Sequence, residues 1–291
     1  MKKMKLACAS VLALALLTGC SDATAKLKDS GTTLLSVGKK NVTKGQMYNA
    51  MLNYSGASLI INNAKSAIAE KEIEITEEMK ESAKSTLEMY TSFYGEYFST
   101  YLASNGMTED DYMNEYLIPS QQTEKLVNKY IEENFADVVA HYQPIQATVI
   151  AFSSEEEANT AKEAIEAGMD PSEAASSNNS VSGGTPSIYT TESTDLDATV
   201  RTAVFGASEE DGWTVIAASD GATYSLFKID SKNPEDFKDA CIESLSSVSG
   251  VDEASNVYWF KKYDFHIYDK TVYDMIAADY PEYLIQDTVS K

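Results

Sequence analysis

The sequence predicts an α+β protein: helical segments at both ends flank an inserted unit of βααβαββ order. Three observations carry this reading. Apolar residues recur at helical spacing between Thr43 and Phe135 and again after Pro234. Ile145 to Phe152 (IQATVIAF) is a β-rich run with no turn residue inside it. Trp213 to Ala217 and Ala222 to Ile229 flank Ser219-Asp220-Gly221, a hairpin signal.

Taken in order, Thr32 to Val42 is strand-like around a Gly38-Lys39-Lys40-Asn41 turn. Thr43-Lys44-Gly45-Gln46 has capping-box spacing and opens a helix carrying Met47, Met51, Leu52, Leu59 and Ile60. Thr76 caps a second helix, with Glu77 and Glu78 in its first turn where the helix dipole favours anions. That helix is expected to run to about Leu102 and to stop at Asn105-Gly106. Thr108 and Asp111 start a third helix, continuing toward Phe135 with a kink or break at Pro119. After the run at Ile145, Ser154 caps a helix ending at Gly168, and Pro171 to Ala175 reads as a further turn. Asn178 to Thr185 reads as a Ser/Asn/Gly loop and Leu196 to Phe205 as a short helix. Beyond the hairpin, helix returns from Pro234 through Tyr263, followed by a strand-like Asp264 to Tyr268 and a terminal helical segment.

The first twenty residues have a different character. Lys2, Lys3 and Lys5 precede an apolar stretch from Leu6 to Leu17, and Leu17-Thr18-Gly19-Cys20 has the pattern of a bacterial lipoprotein signal. The apolar stretch is too short to span a bilayer, so residues 1–19 read as a leader removed on export. Cys20 is then the lipidation site, with a diacylglycerol on its thiol anchoring the protein to the outer face of the cell membrane. The alternative is an ordinary secretory leader that happens to contain a cysteine. The expected organisation is 1–19 leader, 20–31 polar tether, 32–143 helical segment, 144–231 α/β insert and 232–291 returning segment.

Composition excludes several classes. Removing the three leader lysines lowers Lys+Arg from 23 to 20 against 45 Asp+Glu, a net charge of −25 that argues against nucleic acid as partner. Of Cys8, Cys20 and Cys241, the first leaves with the leader and the second carries lipid, so no disulfide framework or thiolate metal cluster is expected. Cys241 reads as a small buried hydrophobe. His141 and His266 have no spaced ligand set beside them, so no metal and no cofactor is expected. No catalytic residue is assigned.

Tyr90, Phe93, Tyr94, Tyr97, Phe98 and Tyr101 fall at i, i+3, i+4, i+7, i+8 and i+11, one face of a continuous helix. That face either packs against neighbouring helices or, with Tyr112 and Tyr116, lines a groove for extended polypeptide. Tyr90, Tyr94, Tyr97 and Tyr101 are the candidate binding residues, since tyrosine offers apolar area and a polar tip.

The order of elements and several motifs resemble the PrsA-type foldases, lipoproteins in which a parvulin-like (PpiC-type) domain is inserted into a SurA-like helical chaperone domain. SVGKKNVTKGQMYNAM, YGEYFSTYLASNGMTEDDYMNEYL and WFKKYDFHIYDKTVYDMI resemble segments of the helical domain. EEEANTAKEAIEAGMDPSEAA, SGG, TAVF and ATYSLFKI follow parvulin segments in order. The resemblance implies a membrane-anchored extracytoplasmic foldase whose partners are unfolded or newly secreted polypeptides, and it leaves a homodimer open. Catalytic parvulins twist the prolyl bond in an apolar pocket holding two histidines on adjacent strands. The resemblance places Thr148 and Ser225 at those positions, with Ile188, Phe205 and Tyr224 as further pocket residues. A parvulin-like domain without its histidines implies weak or absent peptidyl-prolyl isomerase activity. The rival readings are an active isomerase working through pocket shape and hydroxyls, and a surface lipoprotein binding one envelope partner.

Overall fold

The computed structural model describes residues 27–289; the leader, Cys8 and Cys20 lie outside them. By internal contacts the chain divides into two compact units: residues up to Ile61 with those from Asp264 onward, and Asn62–Tyr263. No described helix is long and apolar enough to cross a membrane.

The first unit opens with a hairpin, β1 (Thr33–Val37) and β2 (Lys40–Thr43), paired antiparallel across the predicted glycine turn. α1 (Lys44–Glu72) follows, and its capping box forms as the spacing requires. The Thr43 backbone N–H donates to Gln46 Oε1 at 2.9 Å, and the Gln46 N–H returns to Thr43 Oγ1 at 3.3 Å. After Tyr263 the chain forms neither helix nor strand up to Asp269, where the sequence predicts a strand at Asp264–Tyr268. The reason is local: the Gln286 side-chain amide takes the place of a partner strand. Ile267 N–H donates to Gln286 Oε1 at 2.7 Å, and Gln286 Nε2 donates back to the Ile267 carbonyl at 3.0 Å.

The second unit begins with the end of α1 and continues through α2 (Glu77–Tyr94) and α3 (Glu96–Ser104). The single helix expected from Thr76 to Leu102 is therefore two. Gly95 interrupts it at φ 51°, ψ −124°, a conformation that glycine alone adopts cheaply. α4 (Glu109–Tyr112) is capped reciprocally by Thr108 and Asp111, then passes through a π-helical turn (Met113–Leu117) into α5 (Ile118–Glu133). Pro119 thus sits in the first turn of α5, where its missing N–H costs least, and the irregularity precedes it. The chain breaks instead at Asn134, before α6 (Phe135–Tyr142).

A four-stranded antiparallel sheet follows, in order β4-β3-β6-β5. Its strands are β3 (Ile145–Phe152), β4 (Ser182–Tyr189), β5 (Thr214–Ala217) and β6 (Tyr224–Ser231). α7 (Glu155–Glu166), α8 (Pro171–Ser177) and α9 (Ala198–Gly206) lie between them in sequence. β4 begins inside the stretch read as the Asn178–Thr185 loop. Its glycines look like loop signals but serve close packing: a Cβ on Gly183 (φ +104°) would lie 2.0 Å from the Val149 carbonyl oxygen. The β3–β4 register shifts there, between Thr148 opposite Pro186 and Ile150 opposite Gly183.

Strand alternation sends β3 and β6 into two cores. Ile145, Ala147, Val149, Phe227 and Ile229 pack with Val200 and Val204 of α9 on one face. Ile150, Phe152 and Leu226 pack with Ala158, Ala161, Ala174 and Ala175 on the other. α10 (Lys238–Ser246) and α11 (Ser249–Lys262) return against α5 and α6 around Ile131, Phe135, Cys241 and Leu245. Trp259, also buried, donates its indole N–H to the Leu126 carbonyl at 3.1 Å. α12 (Lys270–Asp279) completes the first unit.

Candidate functional site

Two sets of candidate residues lie in the second unit. On the sheet, Thr148 and Ser225 are both buried and sit on neighbouring strands. They do not share a face. Thr148 is opposite Lys228 and Ser225 opposite Ala151, three steps apart, and an odd separation turns side chains to opposite sides. Thr148 Oγ1 donates to Asp230 Oδ2 at 2.7 Å, two residues along its own face from Lys228. Lys228 Nζ in turn stands 3.6 Å from Asp230 Oδ1. The other three candidates also separate. Phe205 packs on the Val149–Phe227 core, Tyr224 on the Ile150–Leu226 core and Ile188 on the helical core of α5, α6 and α10. The five residues therefore do not converge on one pocket.

The aromatic residues of α2 to α4 behave differently. Because Gly95 breaks the helix, the expected single stripe divides into an inward and an outward set. Phe98 is buried with Leu87 and Leu102, and half-buried Tyr90 and Tyr112 pack against them. Phe98 meets Tyr90 and Tyr112 edge-on, with ring centroids 6.0 and 5.3 Å apart. Burial, with Tyr90, Tyr101 and Tyr116 nearby, pushes the Tyr112 hydroxyl above its ordinary pKa. Outward, Tyr97 is 85% exposed and Phe93 79%, with Tyr94, Tyr101, Tyr116 and Met89 also exposed. These are not scattered rings. Phe93 contacts Tyr94 at 4.9 Å, Tyr101 contacts Tyr112 at 6.3 Å, and Tyr116 stacks on Tyr112 at 5.4 Å. The result is a layer of aromatic surface in water, held from beneath by a small aromatic core. Of the four candidate tyrosines, Tyr90 packs toward the core and Tyr94, Tyr97 and Tyr101 are exposed.

The two histidines are peripheral to both sets. His141 is exposed, 3.9 Å from Glu192, and His266 meets Tyr268 at 4.7 Å between ring centroids. Among the described residues no group of three His, Cys, Asp or Glu side chains could hold a metal ion. Cys241 is fully buried, and burial pushes its thiol up to about 11.

No protein-family model matches the chain. A relative from Streptococcus mutans named Foldase protein PrsA is 26% identical over 240 residues, 77% of this chain and 68% of its own length. One of the same name from Streptococcus sanguinis is 26% identical over 258 residues, covering 82% and 75%. Among solved structures, that of foldase protein PrsA from Streptococcus pneumoniae gives a TM-score of 0.44 at 20% identity, covering 87% of this chain and 100% of that one. The chain resembles the PrsA-type foldases.

With the PrsA resemblance in place, the sheet geometry revises the residue correspondence. Two histidines in one hydrogen-bonded network must share a face, and Val149, not Thr148, shares the face of Ser225. Ile216, opposite Ser225 on β5, lies on this same face, as does Phe205. On the face that Ser225 occupies, β3 therefore presents Val149 rather than Thr148. Asp230, the partner of Thr148, was not among the sequence candidates. The alternation of β3 and β6 held the clue to both corrections, but only once the pairing register was known.

Proposed function

We propose that this protein is a membrane-anchored extracytoplasmic foldase or chaperone of the PrsA type. Its helical segments hold newly exported, unfolded chains, and residues 144–231 form a parvulin-like domain without its histidines. The observation that carries the reading is the exposed layer of Phe93, Tyr94, Tyr97, Tyr101 and Tyr116. Contiguous aromatic surface of this kind in water marks a place where another apolar chain is covered. The two relatives named as foldases support the same role. Lipid on Cys20 would hold the binding face close to the membrane where chains emerge, so that local concentration adds to modest affinity.

The isomerase barrier of about 18–20 kcal/mol falls only where the surroundings favour a twisted amide over a planar one. Val149 offers no hydrogen bond toward that end, and Ser225 offers one hydroxyl. The parvulin-like domain is accordingly read as a scaffold with weak or no isomerase activity. A paired assay on one sample of the lipid-free protein tests both halves. An equimolar amount should suppress aggregation of an unfolded client while cis/trans exchange in a proline peptide stays at the background rate. Absence of suppression overturns the chaperone reading. Exchange above background that is lost in Phe205→Ala makes the protein an isomerase instead. Cys20→Ala should leave both results unchanged and release the protein from membranes in the cell.

A further inference from the structure

The proposed client face has an unusual electrical setting. From Ser85 to Glu124 the chain contains no lysine, arginine or histidine, yet it holds all eight aromatic residues of the face and its underlying core. The same stretch carries Glu88, Glu96, Glu109, Asp110, Asp111, Glu115 and Glu124. Glu88, Glu96, Glu109, Asp110 and Glu115 are exposed, and Glu96 and Glu115 directly precede the exposed Tyr97 and Tyr116. Asp111 is ionised in its capping box, where hydrogen bonds from Thr108 hold its carboxyl below the ordinary aspartate range. The nearest preceding cation, Lys84, is exposed and stands 3.8 Å from Glu88, one turn behind the rings.

An aromatic surface on a stretch whose own charged side chains are all carboxylates does not treat all apolar chains alike. A cation passing over a tyrosine ring is attracted by the ring's electron-rich face, and a guanidinium can stack there while a carboxylate accepts its N–H groups. A carboxylate on the passing chain meets the same negative field and is repelled. We infer that this face selects extended segments carrying arginine or lysine beside apolar residues, and discriminates against acidic segments of equal hydrophobicity. The inference rests on the client reading above and specifies which clients that face accepts. Each cationic residue seated on the face is worth about two- to fivefold in affinity, from the strength of exposed cation–π contacts.

The test uses three fluorescent peptides with identical apolar and aromatic residues, in which three polar positions are arginine, glutamine or glutamate. Binding to the full mature protein is measured by anisotropy at low and at physiological salt. The expected order is arginine, glutamine, glutamate, with at least about tenfold between the extremes at low salt and less as salt screens the field. The variant with Glu88, Glu96, Glu109 and Glu115 all changed to Gln should collapse the order. Changing Glu155, Glu156, Glu163 and Glu166 of α7 to Gln should leave it in place, which separates the face from the general acidity of the protein. If the three peptides bind equally while Phe93→Ser with Tyr97→Ser abolishes binding, the selectivity is wrong and the client face stands. Loss of the order in the α7 variant also overturns the selectivity. If wild-type protein binds none of the peptides, or the aromatic variant binds all three as before, the client face itself fails. Circular dichroism of each variant confirms that the fold is unchanged.

Discussion

The sheet and the α2–α4 helices use similar side chains to opposite ends. β3 and β6 turn Val149, Phe227 and Ile229 to one face and Ile150, Phe152 and Leu226 to the other, and both faces are covered. The helices carry comparable apolar area in Phe93, Tyr97 and Tyr101, and leave it exposed. The Ser225 face of the sheet is lined with packed apolar side chains. The comparison teaches that apolar side chains become core where strand alternation gives both faces a cover, and stay as surface where a helix face has none.

The largest effect expected from breaking this contrast comes from one pair of truncations. Phe227→Ala removes a ring that is 2% exposed and should cost about 3–5 kcal/mol in chemical denaturation. Phe93→Ala, at 79% exposure, should change stability by no more than about 0.5 kcal/mol while weakening client binding. A cost above about 2 kcal/mol for Phe93→Ala would place that ring in a core and remove the contrast.

Two glycines sharpen the same comparison at smaller magnitude. Gly183 and Gly95 both have positive φ, at 104° and 51°, so a side chain strains the backbone at either site. A Cβ at Gly95 would meet nothing within 4 Å, whereas one at Gly183 would press on the Val149 carbonyl. Gly95→Ala should therefore cost about 1–3 kcal/mol, the penalty of a glycine-favouring backbone conformation alone. Gly183→Ala should cost more, since β3 and β4 must also separate. Thermal unfolding of the two variants gives the order directly; equal shifts would mean that the sheet relaxes freely around β4.

These glycines also mark the limit of what was legible in the chain. The capping boxes at Thr43 and Thr108, the Thr76 cap and the Ser219-Asp220-Gly221 turn are local signals, and local hydrogen bonds realise them. Gly95 gives no such signal, because tyrosine and phenylalanine keep helical spacing on both sides of it. Gly183 and Gly184 look like loop residues because their role is close approach to the backbone of β3 and of α8, which sequence spacing does not encode. The site erred for the same reason. A one-residue slip in a strand with period two exchanges its faces, and Thr148 looked equivalent to Val149 until β6 fixed the register.

The smallest effect concerns acid. Asp197 and Asp111 are exposed carboxylates held low by hydrogen bonds, but they join different things. Asp197 caps α9 through the Thr199 N–H at 2.8 Å and also accepts from the Ser219 hydroxyl and N–H, tying the helix to the β5–β6 turn. Asp111 only closes the turn begun at Thr108. The Ser219 and backbone donors lower the Asp197 carboxyl from 3.8 to about 2. A carboxyl lowered by folding stabilises above its ordinary value, and that contribution drains away as pH falls from about 4 toward 2. Unfolding followed across this window should lose part of its steepness in Asp197→Asn, because the amide no longer titrates. Asp111→Asn should leave the global acid transition nearly unchanged and fray only α4, seen as faster amide exchange at Asp111 and Tyr112. Equal acid profiles for wild type and Asp197→Asn would show that the sheet's edge is held by its packed core alone, with the α9–turn link carrying nothing measurable.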